Sequence, residues 1–349
     1  MASKSLSNNK SALILVPLDS LSPEPEPPPV DVALVMVSRP DKHGFCSFGT
    51  SSDFTKPVAD CARIVIAQVN EHMPRTFGGN LIHVRDIDFI VEHSEPILEM
   101  QPANVGILEN KIGKYCSSLI KDGDCLQLGI GSIPESVLTF LWDKKNLGLH
   151  TEMASDGIID LMLAGVINNK MKTVEPGRSV ITFVMGTKRL YDFIDDNPEI
   201  SMNPVDYVND PTIIAKNDNV VSINSCIQVD LMGQVVSESI GLKQFSGVGG
   251  QVDFVRGAAM SKGGRSIIAM LSTAAGGKVS RIVPFLDQGA AVTTSRNDVH
   301  YIITEYGIAL LKGKTLKERA KALIKIAHPN FRDELRAEYE RRFFEPYEA

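Results

Sequence analysis

Paired cysteines, a long apolar run and an excess of positive charge are all missing from this 349-residue sequence. Each absence closes off a class of protein. Cys46, Cys61, Cys116, Cys125 and Cys226 are scattered singly, with no CxxC pair. That spacing excludes a disulfide framework and a zinc ribbon, and it reads as reduced thiols in a reducing compartment. No local Cys/His spacing suggests a thiol nucleophile. No apolar run approaches the roughly 18 residues a membrane span requires. Lys and Arg number 36 against 42 Asp and Glu, a net charge of −6. A nucleic-acid partner is therefore not expected, although small basic pockets for an anionic ligand remain open. His43, His72, His83 and His93 show no ligand spacing, so no metal site is expected.

What is present fits an enzyme of ordinary composition, 43% hydrophobic and 22% charged. The length suggests two domains. Residues 1–29 read as a flexible leader rich in Ser, Pro and Glu, because the run LSPEPEPPPV cannot pack as helix or sheet. Lys4 and Lys10 are the only charges before Asp19 and arginine is absent, so a targeting peptide is the weaker reading. The cytoplasm is the expected location, with an organelle not excluded. From Val32 onward, apolar strands alternate with helices, the pattern of a mostly parallel α/β sheet. Strands are expected at Val32–Val37, Ile64–Val69, Cys125–Leu128, Ser179–Val184, Val220–Cys226, Ala291–Thr294 and Tyr301–Thr304. Ser266–Leu271 and Lys278–Pro284 read as a pair. Val205-Asp-Tyr207 and Pro211–Ile214 read as surrounding a loop. The polar crossover at 167–178 suggests a division into 30–170 and 171–349.

The densest chemistry lies between Asp122 and Asp160. After the Cys125–Leu128 run, Gly129-Ile-Gly131-Ser132 turns the chain into a helix expected from about Ile133 to Trp142. Ser132 followed by Glu135 is a capping-box pattern, with Pro134 in the first turn. Such a helix start offers free N–H groups behind a glycine turn that lets anionic oxygen approach. Glu152 is expected where the next strand, begun at Leu147–His150, ends, across the same crevice. Three readings compete. Glu152 lies 21 residues after Gly131, a spacing that suits a dinucleotide ribose, but Pro134 occupies the place of the third glycine. Alternatively, Glu152 is a nucleophile and the glycine loop an oxyanion cradle. The plainest reading is a βα turn with a solvated Glu. Further on, Ser155-Asp156 are expected to cap a helix ended by Gly165. Lys188 and Arg189 could meet phosphates but suit a solvated helix start. A second glycine loop, Ser246-Gly-Val-Gly249-Gly250, exposes several N–H groups. Glu305 is the rival carboxylate, without an adjacent anion loop.

QLGIGSIPESVL, LGLHTEMASDG, FVMGTKRLYDF, SESIGLKQFSGVGGQVDFVRG, SRIVPFLDQGAAVTTSRNDV and TEYGIALLKGKTLKERA, in this order, resemble the acetyl-CoA hydrolase/transferase family. The resemblance runs from about Val30 to Arg342 and is nearest to the family's 4-hydroxybutyrate and butyryl-CoA:acetate CoA-transferase branches. It implies two open, mostly parallel α/β CoA-transferase domains, the first truncated, since the family's opening strands and helices have no counterpart here. It implies an acyl-CoA:carboxylate CoA-transferase acting on short acids such as acetate, butyrate or 4-hydroxybutyrate. Glu152 is then the nucleophile and passes through a glutamyl-CoA thioester. Gly129, Ile130, Gly131, Ser132, Ile133, Gly249 and Gly250 are implied to contact CoA, with Ser246 and Asn224 as weaker carry-overs. No permanently bound cofactor is implied, because the CoA thioester is itself a substrate, and a homodimer is the expected assembly. An acetyl-CoA hydrolase and a truncated, non-catalytic chain that pairs with a full-length partner are the alternatives. A nucleotide-dependent oxidoreductase is a distant third.

Overall fold

The computed structural model describes residues 30–348, so the expected leader over 1–29 lies outside the described residues. Among the described residues the largest sheet has eight strands. It is preceded by a three-stranded parallel sheet of β1 (Val32–Val37), β2 (Ile64–Val69) and β3 (Phe89–Glu92), with α1 (Thr55–Cys61) between β1 and β2. One face of this small sheet packs Ala33, Val35, Val37, Val65 and Ala67 against Phe48 and Ala59. Leu34 and Phe89 lie on the opposite side, 77% and 59% exposed.

The large sheet is built from β4 (Cys125–Leu128), β5 (Gly148–Ala154), β6 (Ser179–Val184), β7 (Ile200–Met202), β8 (Val220–Asn224), β9 (Arg265–Ala269), β10 (Tyr301–Thr304) and β11 (Gly307–Leu310). The spatial order is β11-β10-β9-β8-β4-β5-β6-β7, parallel except for the β10–β11 hairpin. Successive strands move outward from β4 in one direction through β7. The chain then returns to β8, on the other side of β4, and moves outward the other way. The carboxyl ends of β4 and β8 therefore flank a topological switch point, where open α/β sheets form their ligand crevice. The sheet runs unbroken across residue 171: β6 pairs with β5, and β8 with β4.

Burial on both faces explains why these strands read as apolar runs. On one face Leu126, Leu128, Ile181, Val221, Ile223, Ile267 and Ile303 pack under α2 (Ile107–Ser118), α3 (Ser132–Thr139), α4 (Gly157–Leu163) and α5 (Lys188–Ile194). On the other, Cys125, Val180 and Val220 meet α6 (Val205–Val208), α7 (Pro211–Ile214) and α8 (Gln251–Met260) through Val208, Ile214 and Phe254. Farther along, α9 (Leu316–Ile326) and α10 (Arg332–Phe343) cover β9 and β10.

Several expectations need correction. Ser266–Leu271 does not pair with Lys278–Pro284; β9 is interior, parallel to β8 and β10. Val279–Ser280 instead pairs with Thr273–Ala274, and Ile282–Val283 with Gln228–Asp230. Ala291–Thr294 forms no strand, only an isolated bridge between Thr294 and Val235. The two segments that flank the loop, Val205–Val208 and Pro211–Ile214, are the short helices α6 and α7. The helix expected to reach Trp142 ends at Thr139. The Ser132/Glu135 capping box does not form: the residue before the helix is Gly131, and Glu135 Oε1 accepts from Ser155 Oγ at 2.5 Å. A true capping box occurs at α9, where Thr315 and Glu318 exchange both bonds.

Candidate active site

Alternation along the strands builds the site. Residues two apart share a sheet face, so Gln127 of β4, His150 and Glu152 of β5, Thr182 of β6, and Ser222 and Asn224 of β8 share the face covered by α6–α8. This row of polar side chains sits toward the carboxyl edge of a sheet whose remaining positions are apolar. Gln127, Ser222 and Asn224 satisfy one another: Ser222 Oγ donates to Gln127 Oε1 at 2.6 Å, and Asn224 Nδ2 reaches the same oxygen at 3.1 Å. Asn224 is therefore bound into a network at the switch point, with β4 between its strand and that of the glutamate.

Glu152 lies inside β5, which continues to Ala154, rather than at the strand's end. Thr151 explains the geometry there. The register pairs of β4 and β5 are Cys125 with Gly148 and Leu126 with Leu149. Beyond them Thr151 Oγ1 takes the Leu128 N–H at 3.2 Å and lies 3.0 Å from the Leu128 carbonyl. A side-chain hydroxyl thus does the ladder's work where the crevice opens, and it satisfies buried backbone groups.

The Glu152 carboxylate is partly buried and accepts from the Gly250 N–H through Oε2 at 3.1 Å. Gly250 is the residue before α8, so the helix start faces the carboxylate. A Cβ on Gly250 would collide with Glu152 Oε2 and Asn209 Nδ2, so glycine is required there for close approach, its φ of −84° being ordinary. Asn209, fully buried after α6, stands beside the same carboxylate: its amide favours the charged form yet lies outside hydrogen-bond geometry at both ends. His150 positions that segment. Its Nε2 donates to the Val208 carbonyl at 2.8 Å, and burial pushes the imidazole down to about 3, keeping it neutral.

Burial, and then the charge of Asp53, push Glu152 up to about 7 against the opposing Gly250 and Asn209 contacts. A glutamate that titrates near neutrality in a crevice is the kind of perturbed group that marks functional sites.

The first glycine loop crosses the carboxyl edge of β4. Gly131 has φ +113° and ψ −177°, a backbone open essentially to glycine, and a Cβ there would meet no protein atom within 4 Å. The loop is thus bare on the side a ligand enters. Ile130, Gly131, Glu135, Ser155, Asp156 and Met185 line a cleft of about 250 Å³ closed by residues 100–103. The loop therefore shares this cleft with Ser155 and Asp156, the two residues that follow the Glu152 strand.

The other sequence candidates fall apart from this cluster. Ser246 is exposed, with its hydroxyl on the Gly247 carbonyl, and Gly249 stands in open space at φ +61°. Lys188 pairs with Asp192, and Arg189 with Asp160, both on the surface. Asp156 does precede α4, but its carboxylate takes the Thr187 N–H at 2.8 Å and the Thr187 hydroxyl instead of capping the helix. Glu305 is occupied: Ser272 donates to it through N at 2.8 Å and Oγ at 2.5 Å. Sequence reading missed Asp53, Thr151 and Asn209. Only Thr151, beside Glu152 in the strand, carried a local signal.

Comparison with known proteins bears on the family of the chain. Residues 23–101 match the acetyl-CoA hydrolase/transferase N-terminal domain, and residues 186–339 the C-terminal domain. The chain is 66% identical over 315 residues to a 4-hydroxybutyrate coenzyme A transferase of Clostridium kluyveri, covering 90% of this chain and 73% of that one. It is 44% identical to a butyryl-CoA:acetate CoA-transferase of Anaerostipes caccae, over 88% of this chain and 71% of the other. A crystal structure of 4-hydroxybutyrate CoA-transferase from Porphyromonas gingivalis superposes with a TM-score of 0.82 at 51% identity, covering 90% of this chain and 76% of that one. No helix among the described residues is long and apolar enough to cross a membrane.

Proposed function

The chain belongs to the acetyl-CoA hydrolase/transferase family, and on that premise we propose that it moves CoA between short carboxylic acids through a covalent thioester on Glu152. The observation that carries this reading is the Glu152 carboxylate: recessed on a sheet face, held through one oxygen by a single N–H, and titrating near neutrality. In the proposed sequence its oxygen attacks the thioester carbonyl of acyl-CoA, and CoA leaves as the thiolate with the electron pair, giving a mixed anhydride. The thiolate then attacks the glutamyl carbonyl carbon, and the acid departs as its carboxylate. A second carboxylate runs the same two steps backwards and leaves as its CoA ester. The acyl activation is conserved throughout, so the scheme calls for neither ATP nor a metal ion.

Each step puts negative charge on a tetrahedral oxygen. The first-turn N–H groups of α3, at Ser132 and Ile133, have no partner four residues back and are available for it. The bare side of Gly131 leaves room for the ligand. An apolar cavity of about 600 Å³, lined by Met36, Met73, Phe183, Val184 and Met185 with Thr50, Ser51 and Asp53, is suited to the hydrocarbon of a short acid. Acetate, butyrate and 4-hydroxybutyrate are the acids to try.

The test is direct. Incubation with butyryl-CoA should add the mass of CoA to the chain, and borohydride should convert Glu152 to the alcohol. Glu152→Gln should lose the adduct and slow label exchange between acetate and acetyl-CoA by roughly 10⁴-fold or more. Exchange that survives in Glu152→Gln overturns the reading. Release of free CoA at the exchange rate, without an acceptor acid, makes the chain a hydrolase instead.

A further inference from the structure

Asp53 is the most unusual acidic residue outside the elements already discussed. It adopts φ +35°, a left-handed backbone uncommon for a residue with a side chain, just before α1. A strand and a helix of the site hold it there. The Ser52 and Asp53 N–H groups both reach the Thr182 carbonyl, at 2.9 and 3.2 Å, and the Val205 N–H reaches the Asp53 carbonyl at 3.1 Å. Thr182 lies on β6, on the same sheet face as Glu152, and Val205 opens the helix that leads to Asn209. The distant 50s loop is therefore pinned to the strand beside the glutamate and to the helix over the same sheet face.

The Asp53 carboxyl lines the apolar cavity, with Oδ1 buried and unpartnered. The Ser52 and Thr182 hydroxyls beside it are likewise buried without partners. Among the described residues no lysine or arginine acts on Asp53: its carboxyl is pushed up to about 6 by burial, with only the Phe54 N–H favouring the charge. The other ionisable groups around the pair are Asp206 on α6, Asp253 on α8, neutral His150 on β5, and Glu95 and Tyr191 on the cavity wall. Of these and Asp53, only Asp53 acts on Glu152 by its charge.

We propose that Asp53 is a positioning residue that works by charge: it raises the energy of the free Glu152 carboxylate and so drives Glu152 toward the neutral CoA thioester. This inference rests on the glutamyl-thioester reading. In that reaction the Glu152 oxygen forms its bond to the acyl carbon, the C–S bond breaks, and the thiolate then replaces the acid on the glutamyl carbon. The acid leaves as a carboxylate, so one negative charge departs from beside Asp53. An uncompensated like charge is therefore relieved by forming the intermediate. Protonating Glu152 relieves the same repulsion, so both conversions should respond to Asp53 by the same factor.

The experiment compares the full chain with Asp53→Asn, asparagine being tolerated at left-handed φ. Carboxyl-labelled glutamate follows the Glu152 midpoint by ¹³C NMR, with the signal assigned by its loss in Glu152→Gln. Asp53→Asn should lower that midpoint by roughly one pH unit. The ratio of CoA-carrying to free chain, at fixed acyl-CoA and free acid and at a pH where free Glu152 is ionised in both proteins, should fall by the same factor, about tenfold per unit. Stability supplies a third reading. Both carboxyls have raised native midpoints, so between about pH 4 and 7 the native chain keeps protons that the unfolded chain has released. Stability therefore falls as pH rises through that window, and Asp53→Asn should make the fall in melting temperature shallower. A structural role alone lowers melting at every pH and leaves the Glu152 midpoint in place; that outcome overturns the proposal. If the wild-type chain forms no thioester, the functional reading fails while the NMR midpoint still judges the pairing. If Asp53→Asn does not fold, Asp53→Gly relaxes the backbone and makes the same comparison.

Discussion

Glu152 and Glu305 stand toward the carboxyl ends of parallel strands of one sheet, and their surroundings are opposite. Glu305 is buried with both oxygens taken by Ser272, the first through its N–H and the second through its hydroxyl. Glu152 accepts one N–H, from Gly250, and feels the charge of Asp53. A carboxylate whose oxygens are both matched by donors is part of the packing. One held at a single point, with a like charge acting on it, keeps an oxygen unmatched, which is what the proposed bond formation needs. The sheet offers the same position twice, and the partners supplied from elsewhere in the chain decide which becomes structural.

The largest expected effect that would sharpen this contrast is at Gly250. An alanine there meets no backbone objection at φ −84°, but its methyl must displace the Glu152 oxygen and the Asn209 amide. Exchange activity should drop by roughly 10²–10³-fold, the scale of losing one well-aligned donor. The chain should remain folded, with overpacking costing roughly 1–3 kcal/mol. Activity close to wild type in folded Gly250→Ala would mean that Glu152 does not need this contact, and the contrast with Glu305 would weaken.

Next in size is Gly131. Here the added methyl touches nothing in the protein, and the strain comes from φ +113°. Alanine at such a backbone costs roughly 1–3 kcal/mol. If the loop is only a turn, the loss ends there and turnover per folded molecule is unchanged. If the loop cradles the thioester, the methyl stands in the ligand's space and turnover falls by roughly 10²-fold or more as well. Kinetics and thermal melting of one preparation separate the two outcomes.

Legibility in the sequence followed the range of the interactions. Val32–Val37, Ile64–Val69, Cys125–Leu128, Ser179–Val184 and Tyr301–Thr304 are readable to the residue as short apolar runs; in the large sheet burial on both faces is the reason, whereas Val32–Val37 is continuously apolar although Val32 and Leu34 are exposed. Pairing is not readable in this way. Ser266–Leu271 reads as paired with its sequence neighbour, whereas the strand that forms there, Arg265–Ala269, has partners that begin at Val221 and Tyr301 and are brought to it by crossover connections. Local capping rules held at Thr315, where nothing competes. They failed at Ser132, where Ser155 draws Glu135 away. The site divides in the same way. Glu152 and the 129–133 loop were visible because glycine and carboxylate chemistry is local. Asp53 and Asn209 arrive from segments about 100 and 57 residues away in sequence, and nothing in SSDFT or VNDPT marks them. Their polar character reads as turn or helix start until the fold turns it inward.

The smallest effect gives the sharpest comparison, because one conservative change is made at both glutamates. At Glu305 an amide retains a carbonyl oxygen for the Ser272 N–H, and the Ser272 hydroxyl can turn to accept from the new NH₂. Glu305→Gln should therefore cost little. Glu305→Ala removes both acceptors, leaves a buried N–H orphaned and should cost roughly 1–3 kcal/mol. In both variants exchange per folded molecule should stay close to wild type. At Glu152 the order reverses: glutamine preserves the shape and the Gly250 contact but has no nucleophilic oxygen, so stability is retained and activity disappears. Denaturant melts and label exchange on the four proteins (wild type, Glu305→Gln, Glu305→Ala and Glu152→Gln) provide the measurement. A folded Glu305→Gln chain as inactive as Glu152→Gln would show that the Ser272 bonds hold a reacting group rather than a structural one, and the two glutamates would have to exchange roles.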